Sequence, residues 1–331
     1  MAPIVNSLSP TQGPAAGGTS VTLTGSGFTG ASSVRFGTNP AQFATLSDTT
    51  ISCTAPAGSG SSGVTVTAPS GTSNSVTFTY LPAPVISSVT PTQGPTAGGN
   101  SVALTGTALS GATAVVFGSH SATITGNTST QITAQAPAGA AGPVNLTVTT
   151  GGGTSTPVSY FYVPLPAVES VSPTLGPTLG GNTVTVMGSN LTLTSAVRFG
   201  TRAATGVSVS SDGQLTALAP FGSGTVTVTV TTPGGTSLTG VGTPYYTYVA
   251  QPIVAGLSPA QGPAAGGNSI TITGSNLTYT DSVMVGGTPA SFVTVSDTNV
   301  VAVAPGGTPG NVTVLVHSPG GSSSAGYQYT P

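Results

Sequence analysis

The imidazole, thiol and carboxyl side chains in this 331-residue chain, which could carry acid–base, thiol or metal chemistry, are few: His120, His317, Cys53, Asp48, Glu169, Asp212, Asp281 and Asp297. A hydrolytic triad needs a histidine held between a carboxylate and a hydroxyl or thiol. His120 stands at a position filled elsewhere in the chain by Asn39, Arg202 and Thr288, and His317 at one filled by Thr67, Thr149 and Thr231. Neither histidine has a recurring acid or serine at a matching position. Spacing alone leaves a triad or a metal site open; two exposed bystanders is the simpler reading.

Asp48, Asp212 and Asp297 share one register position, taken by Ser129 in the remaining stretch. One reading makes each a calcium ligand. The other makes it the cap of the turn before a strand, which Asp and Ser both provide by accepting from nearby backbone N–H groups. Calcium takes six to eight oxygens, usually with several carboxylates, and the whole chain has five, so the cap is expected. Cys53 corresponds to Ala134, Ala217 and Ala302 and is expected to point inward as a small apolar residue. A reactive thiol would need a neighbouring cation, and Arg35 is the one cation in that stretch. Gly17-Gly18 and Gly151-Gly152-Gly153 lack the helix and lysine of a phosphate loop and are read as positive-φ turns. Asn-x-Ser/Thr matches at Asn127, Asn145, Asn190, Asn276 and Asn311 arise by chance in so Thr-rich a chain and are given no role. No residue is assigned a catalytic, cofactor-binding or metal-binding role, and the expectation is that the protein is not an enzyme.

Charge is almost absent. Three arginines and five carboxylates give a formal net charge of -2, with no lysine, no tryptophan, 49 glycines and 28 prolines. Nucleic-acid binding needs clustered Lys and Arg, so no nucleic-acid partner is expected. No stretch approaches the apolar length of a membrane-spanning helix, so no membrane insertion is expected. Charge-driven disorder is excluded too, because 37% of the residues are hydrophobic and many are β-branched. The start, Met1 to Ser7, lacks the charged and apolar regions of a signal peptide. Export is therefore expected to use a leader outside this chain or another route.

These residues sit on a repeat of about 82 residues. Ser9-Pro10-Thr11-Gln12-Gly13-Pro14 recurs as Thr90 to Pro95, Ser172 to Pro177 and Ser258 to Pro263. A glycine pair follows each (17–18, 98–99, 180–181, 266–267), then Phe36-Gly37, Phe117-Gly118, Phe199-Gly200 or Val285-Gly286. Ala-Pro pairs stand at 55–56, 136–137, 219–220 and 304–305, and each copy closes on a tyrosine: Tyr80, Tyr162, Tyr248 and Tyr329. Within a copy, apolar residues alternate with Thr, as in Ser20-Val21-Thr22-Leu23-Thr24, the period of a strand with one buried face. About seven such runs appear in the first copy, at 3–8, 20–25, 33–36, 41–46, 50–54, 63–68 and 75–80. No 3.6-residue stripe is present. Seven short strands with turns every 8–12 residues describe an antiparallel immunoglobulin-like β-sandwich. The expected domains are 1–82, 83–164, 165–250 and 251–331.

The order Ser-Pro-x-x-Gly-Pro-x-x-Gly-Gly, Val-Thr-Leu-Thr-Gly, Phe-Gly, Ala-Pro and Phe-x-Tyr resembles the IPT/TIG family of immunoglobulin-like domains, and the resemblance covers residues 3–330. It implies an all-β fold of four tandem sandwiches and carries no general catalytic residues. Such modules are known from plexins, Rel-type transcription factors, bacterial surface proteins and phage structural proteins. The basic loop residues of the Rel-type relatives and the cysteine-rich neighbours of plexins are absent here.

The connections Leu81-Pro82-Ala83-Pro84, Val163-Pro164-Leu165-Pro166 and Val249-Ala250-Gln251-Pro252 are short and proline-stiffened. The expectation is an elongated rod, a non-catalytic fibre, stalk or coat subunit, extracellular or on a cell surface. It is expected to self-associate into a fibre or lattice, because so few charges oppose association. The alternatives are an adhesin or carbohydrate-binding module with a cell-surface polysaccharide or protein partner, and a phage virion decoration or tail-fibre protein.

Overall fold

A computed structural model describes residues 1–240 and 242–331. The chain forms two compact units, Met1–Val163 and Pro164–Pro331, each holding two repeats. The described residues contain strands, turns and bends and no helix, so none is long and apolar enough to cross a membrane.

The first repeat shows the plan. Its strands are β1 (Ile4–Ser9), β2 (Gln12–Pro14), β3 (Ser20–Ser26), β4 (Ser33–Phe36), β5 (Asn39–Ser47), β6 (Thr50–Thr54), β7 (Ser61–Ala68), β8 (Gly71–Thr72) and β9 (Val76–Leu81). One layer runs β1-β3-β6-β5 and the other β2-β9-β7-β4. The start of β5 pairs with β4 and its remainder with β6, so this strand crosses between the layers. In the later repeats it is broken into two pieces, for example Arg202–Ala203 and Thr205–Ser211. Every sheet is built from strands of a single repeat.

The alternation read from sequence is the burial pattern found. Val21 and Leu23 of β3 are fully buried while Ser20, Thr22 and Thr24 face solvent. Each repeat has its own core, packed around edge-to-face aromatic contacts such as Phe36–Phe78 at 5.2 Å and Phe199–Tyr246 at 5.0 Å. Pairs of this geometry contribute about 0.5–1.5 kcal/mol beyond the area they bury.

Two strands of the first repeat lie outside the seven expected. The first, β2, falls in the Ser-Pro-Thr-Gln-Gly-Pro signature and pairs parallel with β9, matching Gly13 to Tyr80 and Pro14 to Leu81. The sandwich is thus not wholly antiparallel. Pro14 has no N–H to donate, which confines it to a sheet edge. A Cβ on Gly13 would run into the Thr19 side chain, so glycine is needed for the strand to close on the core. The second, β8, is a two-residue edge pairing with the end of β7. The peptides before Pro10, Pro91, Pro173 and Pro259 are all cis.

Candidate functional site

The three register-matched aspartates act as caps, but not of the turn they sit in. Asp48 accepts from the Gly27 and Thr29 N–H groups and from the Thr29 hydroxyl, which is 2.7 Å away. Asp212 does the same for Asn190 and Thr192, and Asp297 for Asn276 and Thr278. The expected local cap is corrected to a tie across the sandwich end, holding the loop that follows β3 or its counterpart. Pairing of β3 with β6 brings that loop beside the aspartate. The hydroxyl bond from Thr29, Thr192 or Thr278 is the largest cause holding each carboxyl below its ordinary range, with backbone N–H bonds adding to it. In the second repeat the work falls to Asn127, two residues before Ser129, whose Oδ1 accepts from Gly111 N–H while its Nδ2 donates to the Leu109 carbonyl.

Cys53 is buried against the core, its thiol pushed up to about 11 by burial. Its pairing opposite Val21 and Phe43 fixes the inward direction expected from Ala134, Ala217 and Ala302. The glycine pairs 17–18, 98–99, 180–181 and 266–267 all have positive φ, as the turn reading requires, whereas in Gly151-Gly152-Gly153 only Gly153 does. His120 is exposed at the edge of its sheet, opposite Phe117.

His317 is different. Its Nδ1 lies 2.6 Å from Asp281 Oδ1, with both side chains about half exposed. Sequence reading missed the pair because neither member recurs. The signal was nonetheless there. Ser32, Thr113 and Ser195 occupy the Asp281 position, and their backbone N–H groups bond the carbonyls of Thr67, Thr149 and Thr231, as Asp281 bonds His317. The pair therefore replaces hydroxyl side chains, one on a strand and one just before the strand paired with it. His317, Ser318 and Pro319 form one wall of an open groove of about 630 Å³, and Pro173, Leu175 and Pro177 form the other. The Ser318 hydroxyl, close in sequence, accepts from Gly320 N–H and holds its own hairpin. Among the described residues no group of three or more His, Cys, Asp or Glu could hold a metal ion.

The hairpin of the fourth repeat, which carries one wall of the groove, packs on the connection before it. A Cβ on Gly320 would run into the Ala250 carbonyl. Gln251 Nε2 donates to the Ser322 carbonyl at 2.6 Å, and Asn276 Nδ2 donates to the Gln251 carbonyl at 2.9 Å. In the first unit Gly152 meets the Pro82 carbonyl in the same way.

A family model described as "IPT/TIG domain" matches residues 3–80, 84–162, 166–248 and 252–331. Fibrocystin-L of Mus musculus is 28% identical over 325 residues, covering 91% of this chain and 7% of that protein. Plexin-B3 of Homo sapiens is 31% identical over 170 residues, covering 46% of this chain and 8% of that protein. The chain thus spans a small fraction of the length of these curated relatives. Among solved structures, the plexin A4 extracellular region matches at 19% identity and TM-score 0.37, over 97% of this chain and 30% of that one. Invasin, a bacterial integrin-binding protein, matches at 16% identity and TM-score 0.30, over 98% of this chain and 78% of that one. With four family matches following one another along nearly its whole length, each on a repeat with its own buried core, the chain belongs to the IPT/TIG domain family.

Proposed function

We propose that this chain is a non-catalytic structural protein, a stiff series of domains at 1–82, 83–164, 165–250 and 251–331 serving as an extracellular or cell-surface fibre, stalk or coat subunit that self-associates. The observation that carries this reading is where the few ionisable side chains go. Three of the five carboxylates tie loops at the sandwich ends, and a fourth, just before a strand, pairs with His317 on the neighbouring one. Side chains held this way serve the scaffold. The joints agree with stiffness: within each unit a hairpin glycine sits against the carbonyl of the preceding connection, where a flexible tether would make no such contact. Low charge leaves little like-charge repulsion between copies. The absence of lysine removes a common protection of exposed sheet edges.

Sedimentation of the purified chain over a wide range of concentration and salt tests this reading. Concentration-dependent assembly is expected, and a strict monomer throughout would overturn the self-associating part. Small-angle scattering tests stiffness separately, and a broad distribution of shapes would overturn the rod.

A second reading, an adhesin or carbohydrate-binding surface module, is favoured by one feature, the groove beside His317. Glycan-array binding that is lost in His317→Thr, the residue type of the other repeats, would support it over the purely structural one.

A further inference from the structure

Of the eight charged side chains, six are engaged within the chain. Arg35 and Arg198 donate to the carbonyls of Thr38 and Thr201, Asp48, Asp212 and Asp297 cap loops, and Asp281 pairs with His317. The two left without a hydrogen-bond or ion-pair partner among the described residues are Glu169 and Arg202. They carry opposite charge, both are exposed, and both belong to the third repeat.

Their positions follow from the topology. Glu169 lies in Ala167–Ser172, the edge strand of one layer, at a bulge where the register shifts between Val168 and Ser170. Arg202 lies in Arg202–Ala203, the edge strand of the other layer. That strand leads directly into Thr205–Ser211, whereas Ala167–Ser172 leads into Leu175–Pro177, the far edge of the layer holding Arg202. The two charges therefore stand on opposite lateral sides of one sandwich.

Each charge has apolar company. The Arg202 guanidinium lies 3.8 Å over the ring of Phe221, which is 60% exposed. The loop carrying Phe221 is tied to the turn carrying Leu179, itself 85% exposed, by bonds from Gly222 N–H to the Thr178 carbonyl and from Gly181 N–H to the Ala219 carbonyl. These residues are peculiar to the third repeat. The Leu179 position holds Ala16, Ala97 and Ala265 elsewhere, the Phe221 position Ala57, Ala138 and Gly306, and the Arg202 position Asn39, His120 and Thr288. Beside Glu169, Met187 stands opposite Ser170 in the register with its side chain exposed.

Resting on the self-association reading above, we propose that the third repeat carries the contact that sets its register: Arg202 of one copy, with Phe221 and Leu179, docks on Glu169 and Met187 of a second copy of this chain. A guanidinium stacked on an aromatic ring is pre-oriented to present its N–H edge to a carboxylate. Apolar neighbours on both sides keep water from the pair, and the pair fixes alignment more than it adds strength. Because the two halves occupy opposite sides of one domain, the contact is heterologous and leaves each added copy with an open half, giving a ribbon.

The test compares assembly, by sedimentation velocity, of the full chain and of R202E, E169R and the double swap, each confirmed folded by circular dichroism. Each single reversal sets like charges against each other and is expected to raise the concentration needed for assembly about tenfold or more. The double swap, and an equimolar mixture of the two single variants, should restore it. Single variants that assemble like the parent would overturn this contact while leaving self-association standing. Failure of both the swap and the mixture to restore assembly would overturn it as well. Assembly that stops at a dimer would overturn the propagating geometry. A parent chain that stays monomeric would overturn both readings together.

Discussion

The Tyr162 hydroxyl donates to the Pro137 carbonyl at 2.7 Å, joining two of the most regular landmarks of the repeat, the closing tyrosine and the Ala-Pro pair. Tyr248 bonds Pro220 and Tyr329 bonds Pro305 in the same way. The bond fastens the last strand of the second, third and fourth domains to the loop after the strand that corresponds to β6. In the first repeat the Tyr80 hydroxyl is buried and has no partner among the described residues.

Removing these hydroxyls should therefore have unequal effects. Tyr162→Phe is expected to cost about 1 kcal/mol, the usual net worth of such a bond. Tyr80→Phe should be neutral or slightly stabilising, because it removes an unsatisfied buried group. Denaturant melts of the two variants check this. Burial pushes the Tyr162 hydroxyl up to about 12 from an ordinary value of 10.0. A raised value means the neutral form is favoured in the folded state. Its contribution is complete below the unfolded value and is lost as pH rises through the folded one, so the alkaline loss of stability should be smaller in Tyr162→Phe than in the parent.

The loop-capping aspartates predict acid sensitivity of opposite sign. Asp48, Asp212 and Asp297 are held below the ordinary 3.8, chiefly by the threonine hydroxyls they accept from. Their contribution is complete above that value and is lost as pH falls through the lowered ones. Hydrogen exchange in acid should open the loops at Gly27–Thr29, Asn190–Thr192 and Asn276–Thr278. The loop at Leu109–Ala112 should stay protected, because Asn127 caps it without a charge.

Cys53 should be inert in the folded chain. Its thiol is raised to about 11 and buried, and the attacking species in alkylation is the thiolate. Mass spectrometry after iodoacetamide treatment should show no adduct in buffer and full modification in denaturant. Rapid labelling in buffer would contradict the inward placement.

Gly152 and Gly320 should control how neighbouring domains move within each unit. A side chain there meets the carbonyl of Pro82 or of Ala250. Gly320→Val is expected to leave the fourth domain folded, since the clash is with the connection rather than the core, and to loosen the joint. Small-angle scattering should show broadened shapes, and Gln251 should lose its bond to Ser322.

Period-two alternation and the spacing of prolines, glycines and tyrosines determined the fold class, the repeat and the inward direction of Cys53, because burial of one sheet face is a local property of the chain. Positive φ at the glycine pairs was legible for the same reason, since a tight turn acts on consecutive residues. What the alternation did not reveal was β2. Three residues containing glycine and proline have no alternation to detect, and their parallel partner lies 67 residues further on, at Thr79–Leu81. The aspartates were recognised as caps, but their targets, 19 to 22 residues back, depend on the pairing of β3 with β6 and of their counterparts. His317 and Asp281, 36 residues apart, meet because two strands pair in one register, and Glu169 and Arg202 stand on opposite sides because two layers fold over each other. Sequence fixes what each strand buries through the chemistry of successive residues. Which side chains come together across strands is decided only when hydrogen-bonded pairing sets their register.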